Sequence, residues 1–170
     1  MIKRIRRAIW HKNFTPDQLR RYVGDYEGCY FTYAADEAVR ANAASGGSVS
    51  ALLIYLLQSG QIDGALVCQT ALRDGKPRPE FAIARTRDEI VAAQGSKYAA
   101  VYFSNDALPL IEAFDGRLAV VALPCDATIL QRTRARNPAL DARIVLVITL
   151  FCGHNSEPVL TDAIVNRLGR

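Results

Sequence analysis

Apolar residues recur at helical spacing between Gly47 and Ser59, where Val49, Leu52, Leu53, Leu56 and Leu57 form one stripe and Gly60 follows as a stop. This predicts the clearest helix of the chain. Short apolar runs predict strands at Gly28 to Ala34, Gly64 to Gln69, Phe81 to Ala84, Arg117 to Leu123 and Ala142 to Phe151. Between them, Asp36 to Asn42 reads as a helical turn and Arg73 to Pro79, with Gly75, Pro77 and Pro79, as a loop. Thr86 and Glu89 make a capping box at the start of another helix. Ser104 to Phe114 reads as a helix interrupted or bent near Pro109, and Ala127 to Arg136 and Glu157 to Leu168 as two more. At the other end, Thr15-Pro16-Asp17 suits a helix start after a short basic helical leader.

Strands alternating with helices at this spacing imply an α/β fold with a mainly parallel or mixed sheet and helices on both faces. The expected organisation is a basic leader over residues 1–25 and an α/β domain over 26–170. Such sheets bind ligands beyond the carboxyl ends of their strands. Cys125 and Cys152 both fall there, each just after a predicted strand.

Composition changes little in this picture. Of 170 residues, 50% are hydrophobic and 22% charged, which suits a globular domain with a real core. No apolar stretch, Ile144 to Cys152 included, is long enough for a membrane helix, so no span is expected. The basic start lacks a following apolar region, and the chain reads as unexported and cytoplasmic.

Charge changes more. Seven basic residues and a single acid lie in residues 1–21, against a net +4 overall, so the body is slightly acidic. The basicity belongs to the arm, where a solvated leader or docking segment is the common case. No aromatic-interleaved basic stripe accompanies it, which argues against nucleic acid. The cysteines Cys29, Cys68, Cys125 and Cys152 form no CxxC pair, and in a cytosolic chain they read as reduced thiols or metal ligands.

Three segments carry candidate chemistry. Ser45-Gly46-Gly47-Ser48, with Ser50, lies at a helix N-terminus, where backbone N–H groups and the helix dipole favour a phosphate. Taken alone, the turn equally fits an ordinary helix cap. Gly95-Ser96-Lys97-Tyr98 offers a cation, a hydroxyl and a stacking ring, or simply an exposed loop. Pro124-Cys125-Asp126 places a thiol between strand and helix, as nucleophile, metal ligand or small buried residue. Cys152-Gly153-His154 has the same ambiguity, and a thiol hydrolase lacks any supporting signature.

In order, the segments resemble a known family. Ala44 to Leu53 followed by Gly60 to Ala65, then Ala84 to Ile90, Gly95 to Tyr98, Leu123 to Asp126 and Leu150 to Asn155, are similar to the coenzyme F420 hydrogenase/dehydrogenase β-subunit family. The resemblance implies an FAD-dependent oxidoreductase subunit. Such a subunit passes electrons between iron–sulfur centres, or ferredoxin, or an iron–sulfur partner subunit, and a small-molecule hydride acceptor such as the deazaflavin coenzyme. It makes Ser45, Gly46, Gly47, Ser48, Ser50, Gly95, Ser96, Lys97, Tyr98, Pro124 and Cys125 candidate FAD contacts. Lys97 is the candidate for a catalytic electrostatic role, and Cys125 and Cys152 for ligands of an iron–sulfur cluster. The family often reads Gly-Thr-Pro-Cys-Gln where this chain has Ala122 to Asp126. Its members also continue past Arg170 with further cysteines, so the flavin domain is expected to be incomplete at its C-terminus. The alternative is a non-catalytic or truncated partner subunit that keeps the fold without the full cofactor set.

Overall fold

The computed structural model describes residues 15–168 apart from Cys29 and His154. The basic helix expected before Thr15 lies outside the described residues. The chain divides into two compact units, Met1–Thr32 and Tyr33–Arg170, and each is described by itself.

In the first unit, helix α1 (Pro16–Val23) starts where the sequence places it. The Thr15 side chain accepts from Gln18 N, and the Gln18 side chain accepts from Thr15 N, a reciprocal capping box with Pro16 in the first turn.

In the second unit the elements run α2 (Glu37–Asn42), α3 (Ser48–Gln58), β1 (Gly64–Arg73), β2 (Lys76–Ala84) and α4 (Arg87–Ala92). They continue with a π-helical turn (Phe103–Ala107), α5 (Leu108–Ala113), β3 (Leu118–Ala122), α6 (Pro124–Arg136), α7 (Pro138–Arg143), β4 (Ile144–Thr149) and α8 (Pro158–Arg167). The sheet order is β2-β1-β3-β4, with β1, β3 and β4 parallel and β2 antiparallel on the edge. The expected mixed α/β fold is borne out.

Alternation along the strands sorts the core into two layers. Ala65 and Val67 of β1 and Ala119 of β3 pack with Leu53 and Leu56 of α3 and Ile90 of α4. Leu66 of β1 and Leu118, Val120 and Ala122 of β3 pack on the opposite layer with Ile111 of α5, Leu130 of α6 and Leu140 of α7. Helices therefore cover both faces. Among the described residues no helix is long and apolar enough to cross a membrane.

Several local expectations are corrected. Gly28 to Ala34 forms no strand among its described residues: Tyr30, Phe31 and Tyr33 stand exposed, and Ala34 N is taken by Gly46 O at 2.7 Å. The loop expected over Arg73 to Pro79 is a hairpin. Asp74 and Gly75 both have positive φ, 53° and 73°, the geometry of a tight two-residue turn. The two prolines are tolerated because β2 is an edge strand, where a missing N–H need not break a second ladder. Helix α6 begins at Pro124 and not at Ala127, so Cys125 sits inside the first helical turn. The last strand is shorter than expected, since Pro138 opens a separate short helix before it. The irregularity expected near Pro109 falls just before it: a π-helical turn, Phe103–Ala107, leads into α5, whose first turn holds Pro109.

Candidate functional site

The small-residue turn before α3 is shaped by one glycine. Gly47 has φ 75°, is the helix cap, and makes no side-chain cap bond. A Cβ built there would stand 3.2 Å from Val39 O and 3.3 Å from Ala34 Cβ, so glycine is required both by backbone sign and by space. Gly46 O accepts from Ala34 N, which ties the turn to the segment preceding α2. Ser45 is exposed, while Ser48 and Ser50 are half-buried in the first helical turn. This leaves the positive end of an 11-residue helix beside small side chains and hydroxyls.

The Gly95-to-Tyr98 turn follows α4. Lys97 Nζ donates to the carbonyls of Ala93, Gln94 (2.9 Å) and Gly95 (3.0 Å). All three ammonium protons are used on the C-terminal end of α4, where a cation is favoured by the dipole. Burial pushes the Lys97 pKa down, with Cys68 acting in the opposite direction. Tyr98 carries its ring into solvent, 66% exposed, while its carbonyl accepts from Ser156 N at 2.9 Å and from the Ser156 hydroxyl.

The two turns meet through a residue the sequence motifs pass over. Gln94 Nε2 donates to Ser50 Oγ at 2.9 Å and to Val39 O at 3.0 Å. Ser50 belongs to the first turn's helix, and Gln94 immediately precedes Gly95. The only sequence signal for Gln94 is its place between a capped helix and the Gly-Ser-Lys-Tyr run.

The Pro124-Cys125-Asp126 segment lies beyond the carboxyl end of β3. Asp126 Oδ2 accepts from Leu123 N at 3.3 Å, and Oδ1 accepts a weak bond from Cys125 Sγ at 3.8 Å. Burial pushes the Asp126 carboxyl up. Cys68, half-buried on β1, is also pushed up by burial, opposed by the charge of Lys97 and reinforced by Asp126 and Glu80. Lys97 and Asp126 thus act on the Cys68 thiol in opposite senses.

A cavity of about 320 Å³ adjoins the second turn, with Thr70 and Pro79 of the hairpin, Ser96, Lys97 and Tyr98 of the turn, and Ile164 of α8 in its wall. Its size lies at the low end of ligand pockets, enough for a planar ring and not for a whole dinucleotide. Arg78 and Lys76 bind Asp162 and so hold α8 beside it.

The residues suit FAD in parts: a helix N-terminus, hydroxyls for phosphate, and a ring-sized cavity beside Tyr98, while Gly47 serves the fold of the turn itself, since a Cβ there would meet Val39 and Ala34. The donor set for a cluster is different. Cys125 and Cys152 are exposed, and Cys29 and His154 lie outside the described residues. Among the described residues no three His, Cys, Asp or Glu side chains are grouped to hold a metal ion, whereas a four-iron cluster takes about four thiolates. The described residues therefore do not assemble a cluster site by themselves.

A four-stranded mixed sheet with helices on both faces defines the chain as an α/β domain, with Cys125 and Cys152 just beyond the ends of two parallel strands. The chain belongs to the coenzyme F420 hydrogenase/dehydrogenase β-subunit family. Residues 29–107 match the N-terminal domain of the coenzyme F420 hydrogenase/dehydrogenase β-subunit family, and residues 115–169 match the C-terminal domain of the same family. It is 31% identical to the coenzyme F420 hydrogenase subunit beta of Methanothermobacter thermautotrophicus over 142 residues, 78% of this chain and 48% of that one. The corresponding protein of Methanosarcina barkeri is 36% identical over 77 residues, 45% of this chain and 26% of that one. The F420-dependent formate dehydrogenase 1 subunit beta of Methanococcus maripaludis is 27% identical, with 76% and 32% covered. A chain of the F420-reducing [NiFe] hydrogenase complex from Methanosarcina barkeri shares the fold, with a TM-score of 0.66 at 24% identity, 82% of this chain and 50% of that chain being covered. The chain spans about half the length of these relatives, or less.

Proposed function

We propose that this chain is the flavin-binding portion of an oxidoreductase β subunit, holding FAD across the Ser45–Ser50 and Gly95–Tyr98 turns. The observation that carries this reading is the Gln94 bond to Ser50, which joins two turns 44 residues apart into one locus. Its family membership gives the same direction. FAD, when bound, supplies the exchange between single-electron carriers and two-electron hydride transfer.

The chain's own part is binding and orientation. Gly47 and the N-terminus of α3 receive a phosphate, with the Ser48 and Ser50 hydroxyls as neighbours. Lys97 locks the second turn onto α4 and supplies a fixed positive charge beside the cavity, suited to an anionic reduced flavin. Tyr98 offers its ring face at the cavity wall, and Pro124 and Cys125 stand at the strand edge where a hydride acceptor would approach. The acceptor is a small planar molecule such as the deazaflavin coenzyme, and the electron donor an iron–sulfur protein, either ferredoxin or a partner subunit. A cluster would draw on Cys125 and Cys152 only with ligands from outside the described residues.

The test is titration of the purified chain with FAD, followed by flavin absorbance and fluorescence. Stoichiometric binding that is lost in Gly47→Val supports the proposal. Absence of binding by the wild-type chain overturns it and favours the alternative, a partner subunit with the fold and without the cofactor.

A further inference from the structure

The Gln94 side chain commits both amide protons inside the fold, one to Val39 O and one to Ser50 Oγ. The orientation of the amide is dictated by Val39, because a flipped group would set Oε1 against a carbonyl, acceptor to acceptor. The consequence of that orientation is an unpaired group: Gln94 Oε1 is buried and has no hydrogen-bond partner. Native structures leave few such acceptors standing. Here the fold accepts one in order to aim two donors.

The second consequence falls on Ser50. A hydroxyl has one proton to donate and lone pairs to accept with. Gln94 occupies the accepting side, and among the described residues this is the sole hydrogen bond of the Ser50 side chain. Serine within a helix often donates back to the carbonyl four residues earlier. Ser50 makes no such bond among the described residues: Gly46 O accepts from Ala34 N at 2.7 Å and not from the Ser50 hydroxyl. Among the described residues the Ser50 proton has no acceptor and is available to a bound ligand.

We infer that Gln94 is a positioning residue of the cofactor site, holding the Ser50 hydroxyl as a hydrogen-bond donor for a phosphate oxygen at the start of α3. The inference rests on the flavin reading and narrows it: the diphosphate part of the cofactor lies at Ser50, and the turn carrying Lys97 and Tyr98 is anchored to that contact by the same amide. Neither the glycine turn nor the Gly-Ser-Lys-Tyr run acts alone.

The experiment is a double-mutant cycle on the full chain, with FAD and riboflavin affinities measured by fluorescence titration for wild type, Ser50→Ala, Gln94→Met and the double variant. Losing a hydrogen bond to a charged phosphate weakens FAD by roughly tenfold. Ser50→Ala and Gln94→Met are each expected to lose about that factor, and the double variant no more than the larger single loss. The ratio of FAD to riboflavin affinity falls in all three variants, since riboflavin has no phosphate. If Gln94→Met does not fold, Gln94→Asn takes its place: it keeps the amide but withdraws it from Ser50, and the same pattern is expected. Losses that add, or a fall in FAD and riboflavin affinity by the same factor, overturn the inference, because a merely structural role gives those results. FAD binding weakened by Ser50→Ala and untouched by both Gln94 variants overturns it while leaving the flavin reading intact. Failure of the wild-type chain to bind FAD overturns both.

Discussion

Asp162 of α8 accepts both arms of the Arg78 guanidinium, at 2.7 and 2.8 Å, and Lys76 Nζ joins it at 3.2 Å. This charged triad fastens α8 to the β1–β2 hairpin beside the cavity. Arg78 in particular holds the Asp162 carboxyl down to about 2. A carboxyl depressed in the folded state contributes stability that is whole above its unfolded pKa of about 4 and is lost as pH falls through the folded value. Protection of the α8 amides against hydrogen exchange is therefore expected to fall between about pH 4 and pH 2. In Asp162→Asn that protection should be low at every pH, with no step in the window. A step that persists in the variant would assign the transition to another group.

Glycine is demanded at position 47 for two reasons and at position 95 for one. Both have positive φ, 75° and 89°, but a Cβ meets close neighbours only at Gly47. Gly95→Ala is expected to cost about 1 kcal/mol for the left-handed backbone alone. Gly47→Ala should cost about 2 kcal/mol or more, as Val39 O and Ala34 Cβ must also give way. Urea unfolding measures both, as a lower midpoint at unchanged slope. FAD affinity should fall further in the Gly47 variant than its stability does.

Lys97 separates charge from geometry. Three carbonyls converge on its ammonium, and a planar guanidinium cannot reproduce that convergence. Lys97→Met is expected to lower stability by about 1 kcal/mol, discounted from the usual charged hydrogen bond because the site is partly exposed. Lys97→Arg should recover little of it. Thermal melts with FAD titration check both effects. Full recovery by arginine would mean that positive charge alone is what the turn needs.

The three described cysteines differ in access. Cys125 and Cys152 are exposed, while Cys68 is half-buried and its thiol is pushed up by that burial. Since the thiolate is the reactive form, timed alkylation at neutral pH should label Cys125 and Cys152 first and Cys68 last. Mass spectrometry of the digested protein reads the order. Early labelling of Cys68 would show that the sheet opens around β1 in solution.

Much of the fold was legible because it depends on local pattern. The stripe from Val49 to Leu57, the capping box Thr86–Glu89 and the apolar run Ile144–Thr149 each specify an element within a few residues of chain. The hairpin was not, although Asp74-Gly75 is a turn signal, because Pro77 and Pro79 argue against a strand until β2 is known to be an edge. The run from Gly28 to Ala34 has strand composition but, among the described residues, no partner strand, and composition cannot supply one.

The candidate site divides the same way. The sequence by itself determined its parts, since a small-residue turn before a helix and a Gly-Ser-Lys-Tyr run are read from adjacent residues. Only the tertiary structure decided how they combine. The packing of α4 brings Gln94 against Ser50, and Lys97 turns back on the end of that helix. The first is a contact between residues 44 positions apart and the second a choice among nearby carbonyls, and no local pattern encodes either. They follow from which sheet face each helix covers, and that is settled by the packing of the whole core.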